Sequence, residues 1–69
     1  MESFREWLYE QLVDEGTINE DEVEVEDLNE EMLVTETELY AEDIEQYRSE
    51  FSQHCANIGV TPNWDLPED

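Results

Sequence analysis

Lysine is absent from this chain, and Arg5 and Arg48 are its only strong cations. Against them stand 22 Asp and Glu residues in a length of 69, giving a formal charge of −20. Such a surface repels polyanions, which excludes nucleic acid and anionic membranes as direct partners. Cys55 stands alone, so no internal disulfide can form, and a reducing, cytoplasmic setting is the expectation. The N-terminus reads Met-Glu-Ser-Phe-Arg-Glu, with no basic stretch leading into an apolar run. Neither a secretory signal nor a membrane span is expected.

Glycine is scarce as well, and that bears on metals. The calcium loop of an EF-hand needs alternating acids or amides, a Gly at its turn and a Glu at its end. Asn19 to Glu24 supplies acids but no Gly, and the chain holds only Gly16 and Gly59. No His or Cys cluster exists for zinc. We expect no metal and no cofactor. Catalysis is equally unsupported. Paired carboxylates work as acid and base only when an apolar pocket raises one pKa, and so short a chain offers none. His54 and Cys55 are neighbours, so on a helix they diverge by about 100°, whereas a Cys–His nucleophile needs convergent side chains. The chain is not expected to be an enzyme, and His54 is expected at the edge of the core.

What remains is enough for one small domain. Apolar residues make up 38%, including two Trp, three Tyr and two Phe. A chain of this size buries only about 60% of its surface on folding, so stability is marginal. The first helix is expected over about 3–15. Ser3 and Glu6 have capping-box spacing, Phe4, Trp7, Leu8, Gln11 and Leu12 share a face, and Gly16 stops it. A longer helix is expected over about 36–58, with Thr35 as N-cap, Glu38 as its partner, and Val34 and Leu39 as a hydrophobic staple. Its apolar stripe is Tyr40, Ile44, Tyr47, Phe51, Cys55 and Ile58, and Gly59 and Pro62 end it.

The middle segment, 17–34, reads two ways. Glu22-Val23-Glu24-Val25-Glu26 alternates with period two and is β-branched at its apolar positions, which favours a strand paired with Met32-Leu33-Val34. The rival is a short helix with Val25, Leu28 and Met32 on one face. The reading adopted is mostly α, with a possible hairpin making it α+β; the alternative is a three-helix bundle. In the tail, 60–69, Trp64 and Leu66 either fold back onto the core or stand out as an anchor. A homodimer through the second helix is also open, since so small a core gains from doubling.

The carboxylates themselves are patterned. Glu6, Glu10 and Asp14 recur at i,i+4, as do Glu38 and Glu42, with Glu45 on the same side. Glu20, Asp21, Glu22, Glu24, Glu26, Asp27, Glu30 and Glu31 crowd the middle. Like charges at i,i+4 cost a helix about 0.2–0.5 kcal/mol per pair. Net charges of magnitude about 2–8 are ample for solubility in a small domain. Four residues of helix rise about 6 Å, comparable with the spacing of phosphates along a strand. In size, charge and acid spacing the whole chain resembles the small acidic phage-encoded proteins that mimic DNA and block host defence nucleases, of anti-CRISPR or antirestriction type. No motif carries the resemblance. It implies a basic nucleic-acid-binding partner, a nuclease or CRISPR effector, whose DNA- or PAM-reading site the acids would occupy. Tyr9, Val13 and Trp64 are the candidate apolar anchors. Two other classes stay open: a salt-adapted domain whose charge holds hydration, and an acidic adaptor or antitoxin-like protein masking some other basic partner.

Overall fold

In the computed structural model, which describes residues 1–67, the N-terminal apolar stripe becomes helix α1, Phe4–Glu15. Ser3 caps it, its Oγ accepting the Glu6 N–H at 3.2 Å. Gly16 ends it at φ 79, and its N–H reaches the Leu12 and Val13 carbonyls. That left-handed conformation favours glycine. Phe4, Leu8 and Leu12 are fully buried, while Glu6, Glu10 and Asp14 face solvent.

The start of the long second helix is a correction. The helix expected over 36–58 is present as α3 but starts only at Ala41 and runs to Ile58, and a separate short helix, α2 at Glu30–Glu36, ends where it was expected to begin. Thr35 is no N-cap but lies inside α2, its hydroxyl donating back to the Glu31 carbonyl at 2.8 Å. The Thr37 hydroxyl donates likewise to the Leu33 carbonyl. Hydroxyls that engage the preceding turn in this way compete with helix continuation, and the chain breaks there. It restarts where the Asp43 carboxylate accepts the Tyr40 N–H at 2.9 Å. Val34 and Tyr40 are left exposed, so the Val34–Leu39 staple is not made and Tyr40 drops out of the stripe. Ile58 at the far end is exposed as well. Ile44, Phe51 and Cys55 are buried as expected, and Gly59 ends α3 at φ 72.

The middle segment forms no hairpin. Met32, Leu33 and Val34 belong to α2, and Val25–Asp27 is a single 3₁₀ turn. The three-helix alternative is the fold, although its short helix starts later than that reading placed it. Asn29 caps it, with Oδ1 2.7 Å from the Met32 nitrogen. Leu28 is fully buried just before the cap, and Val25 and Met32 are half-buried. The sheet among the described residues lies elsewhere. Strand β1, Glu2–Ser3, pairs in parallel with β2, Pro62–Asn63, in the register Glu2 to Pro62 and Ser3 to Asn63.

The core is the meeting of these parts. Phe4, Leu8 and Leu12 pack against Leu33 of α2 and against Ile44, Phe51 and Cys55 of α3; Ile18, Leu28 and Leu66 close its ends. The Phe4 and Phe51 ring centroids are 5.2 Å apart, and Trp7 lies 5.3 Å from Phe51. His54 sits half-buried beside Trp7 and Phe51, at 6.2 Å from each, at the core edge as expected.

After α3 the chain runs as a strap across the N-termini of two helices. Glu2 donates its N–H to the Thr61 carbonyl at 3.0 Å. The Asp65 carboxylate then takes the Ser3 hydroxyl at 2.6 Å and the Arg5 N–H at 2.9 Å. A carboxylate at the start of α1 is favoured by the helix dipole. Leu66 is buried, and the Pro67 carbonyl accepts the N–H of Glu30 at 2.9 Å.

Candidate functional site

Three apolar residues, Ile18, Val23 and Leu28, peg the segment between α1 and α2 to the core. Between the first two the backbone turns tightly. The Asn19 side chain accepts the Asp21 N–H at 2.9 Å, and its carbonyl accepts Glu22 and Val23 at 3.0 and 2.9 Å. This turn carries Glu20, Asp21 and Glu22 outward, all exposed. A second small turn follows, where Asp27 accepts the Glu24 N–H at 3.3 Å and Glu24 and Glu26 point into solvent.

Tyr9 ties this loop to α1. Its hydroxyl donates to the Val23 carbonyl at 2.6 Å. Burial pushes its pKa above the ordinary value, and the carboxylates of Glu20, Glu24, Asp21 and Glu26 push it further. One phenol thus feels four carboxylates from two successive turns of the loop. That is a concentration of negative charge held in place by packing.

The acids of α1 join this face. A shallow depression is lined by Tyr9, Glu10, Val13, Asp14 and Glu20. A larger groove next to it runs between the end of α1, the loop and α2, with Val13, Glu20, Glu22, Val23, Asp27 and Glu36 among its walls. A third depression continues to Glu36 and Glu38 by way of Thr17. The expected site residues Glu10, Asp14, Glu20, Glu22, Asp27 and Glu38 are therefore brought together, with Asp21, Glu24 and Glu26 on the same loop. Glu36 belongs with them although the sequence reading passed over it. Its signal is an acid two residues before Glu38, at the first position of the helix expected after a Thr35 cap.

Other expected residues lie apart. Glu6 is exposed in the first turn of α1, a turn before Glu10, Glu31 is exposed on α2, and Glu42 on α3. Glu30 and Glu45 are engaged internally by Arg48, at 3.3 and 2.8 Å. Burial works against the Arg48 charge, but these carboxylates outweigh it and raise its pKa. Arg5 lies at the strap, close enough to Asp65 to help hold that carboxyl ionised. Both cations thus sit beside the strap and the start of α2, away from the Asn19–Asp27 loop.

The three candidate anchors have different surroundings. Tyr9 is half-buried with its hydroxyl committed to Val23. Val13 is half-buried and forms apolar floor in both acidic depressions. Trp64 is 48% exposed, yet its ring lies 5.3 Å from Phe4 and 5.4 Å from Phe51, so it packs and protrudes at once.

Among the described residues no group of three or more His, Cys, Asp or Glu side chains is placed to hold a metal ion. No helix among them is long and apolar enough to cross a membrane. Compared with protein-family models, with curated proteins and with solved structures, the chain matches none.

Proposed function

We propose that this chain is a nucleic-acid-mimicking inhibitor that acts in the cytoplasm by occupying the basic DNA-binding site of a host defence nuclease or CRISPR effector. It works by binding, with no chemistry of its own. The observation that carries this reading is the acid face built by α1 and the Asn19–Asp27 loop, whose carboxylates stand exposed on a pegged backbone while both arginines sit elsewhere.

Magnitudes support it. The longest dimension of the fold is 32 Å. A duplex of that length carries about 19 phosphate charges, at one per roughly 1.7 Å. The chain carries −20, or −18 without Glu68 and Asp69. A Lys/Arg-lined cleft shaped for a duplex would meet a similar charge over a similar length. Association would gain from steering and from release of the anions held in the cleft.

The fixed backbone matters as much as the charge. An acidic tail that must order on binding loses conformational entropy at that moment. Here Ile18, Val23, Leu28 and the Tyr9 hydrogen bond order the loop beforehand.

The test is competition. The protein, immobilised, is loaded with partner from a host lysate and then washed with duplex DNA at moderate salt. Mimicry expects the DNA to elute the partner and the complex to weaken steeply as salt rises. A partner that saturating duplex leaves in place removes the reading. Salt adaptation is separated by folding: it requires molar KCl for a cooperative melt, whereas an inhibitor of this kind folds in dilute buffer.

A further inference from the structure

An exposed tryptophan is ordinary by itself, but the strap fixes Trp64 on two fully buried rings, Phe4 and Phe51. A side chain ordered in advance loses little entropy when a partner covers it. Beside it runs a shallow groove whose walls include Glu45, Arg48, Ser49, Ser52 and Leu66.

Arg48 shows what chemistry this surface accepts. Its guanidinium carbon lies 5.9 Å from the Phe4 ring centroid, and its nitrogens pair with Glu45 and Glu30. A planar cation is thus already held between an aromatic ring and carboxylates. The three charged groups together leave one negative charge in excess. The Glu45 side chain is 69% exposed, and only its Oε1 is engaged among the described residues. The neighbouring aromatic face, that of Trp64, is half open.

We propose that Trp64 and Glu45 form a second anchor, separate from the acid face, that seats an arginine side chain of the basic partner. Its guanidinium stacks on the open part of Trp64 and pairs with the free Glu45 oxygen, repeating the arrangement that Arg48 makes on Phe4. Arginine fits better than lysine because its plane stacks on an indole while its N–H groups meet a carboxylate. The anchor rests on the reading above in one respect, that the partner is basic. What it adds is selectivity, since carboxylates alone do not distinguish one cationic cleft from another. Tryptophan and arginine are also the residues most often found at energetic centres of interfaces.

The experiment uses the full chain with oligo-arginine and oligo-lysine peptides of equal length as probes. In a Trp7→Phe background Trp64 is the sole tryptophan, and acrylamide quenching reads its accessibility. Oligo-arginine is expected to protect Trp64, and oligo-lysine to protect it less. By calorimetry, Trp64→Ala should weaken oligo-arginine about tenfold and oligo-lysine about twofold. Glu45→Gln should weaken oligo-arginine about threefold. Trp64 left fully quenchable in the saturated complex overturns the anchor, as does unchanged affinity in a folded Trp64→Ala chain. If that variant does not fold, the quenching measurement decides alone. Converting Glu20, Asp21, Glu24 and Glu26 to Lys tests the acid face independently. Affinity lost there but not at Trp64 removes the anchor and keeps mimicry; the reverse pattern keeps the anchor and removes mimicry.

Discussion

At the strap, each of the carboxylates of Asp65, Glu30 and Glu45 meets a donor or a cation: Ser3 and the Arg5 backbone for the first, Arg48 for the other two. In the Asn19–Asp27 loop the acids outnumber anything that could answer them. Asp27 accepts a backbone N–H, and Glu20, Asp21, Glu22, Glu24 and Glu26 are exposed. Yet both regions are ordered by the same means, apolar residues driven into one core: Leu66 from the strap; Ile18, Val23 and Leu28 from the loop. The difference teaches which charges serve the fold. Those at the strap close it. Those in the loop oppose it by repulsion and are held against that repulsion by packing, which is the arrangement a binding surface needs.

The largest effect is expected from reversing the loop charges. Glu20, Asp21, Glu24 and Glu26 converted to Lys should lower affinity for the captured partner about a thousandfold. The helical circular dichroism should hold and the melting temperature should rise, because repulsion is relieved. An unchanged affinity would take the acid face out of the interface. Next is Leu66→Ala, expected to cost about 2–4 kcal/mol in urea unfolding by emptying a buried site at the strap. Val25→Ala, at a half-buried loop position, should cost less than about 1 kcal/mol. If the two cost the same, the strap closes nothing special.

Asp65→Asn is a smaller perturbation, about 1–2 kcal/mol, since a neutral amide weakens two charge-assisted hydrogen bonds. Its pH dependence has a definite sign. Burial alone would raise the Asp65 pKa, but the Ser3 and Arg5 hydrogen bonds outweigh it and lower the folded value. The native-minus-variant stability should be complete above the unfolded value near pH 4 and shrink as pH falls through the depressed folded one. A difference independent of pH would exclude an ionised latch. The mildest prediction concerns Tyr9. Glu20→Gln should bring its ultraviolet titration part of the way down toward the ordinary value near 10, burial and the carboxylates of Glu24, Asp21 and Glu26 keeping the remainder. A titration that does not move would place Glu20 away from the hydroxyl and outside the cluster around Tyr9.

Much of α1 was legible because its signals agreed: Ser3 at the cap, apolar residues at helical spacing and Gly16 at the stop. The second half was harder for a physical reason. The apolar stripe from Tyr40 onward is periodic, and extrapolating it back to Thr35 ignored what threonine hydroxyls do. Thr35 and Thr37 satisfy carbonyls of the turn behind them, and Asp43, not Glu38, supplies the cap for the restart. The alternation Glu22 to Glu26 suggested a strand, but no neighbouring strand was at hand to pair it. Two short turns and the buried Leu28 used the same residues at less cost. Asn29 followed by two acids was the overlooked helix start. Of the acid face, the loop and α1 members could be named from spacing. That the Tyr9 hydroxyl would bond the Val23 carbonyl, and that Arg48 would claim Glu30 and Glu45, depended on contacts between residues far apart in sequence.

Cys55 lies 1% exposed in the last turn of α3, and burial pushes its thiol pKa upward. A thiolate reagent therefore meets it only when α3 lifts from α1 and the strap. The chain thus contains its own clock for opening. Alkylation rates in the free and captured protein, compared directly, report how firmly a bound partner holds the whole fold shut, without the introduction of any label.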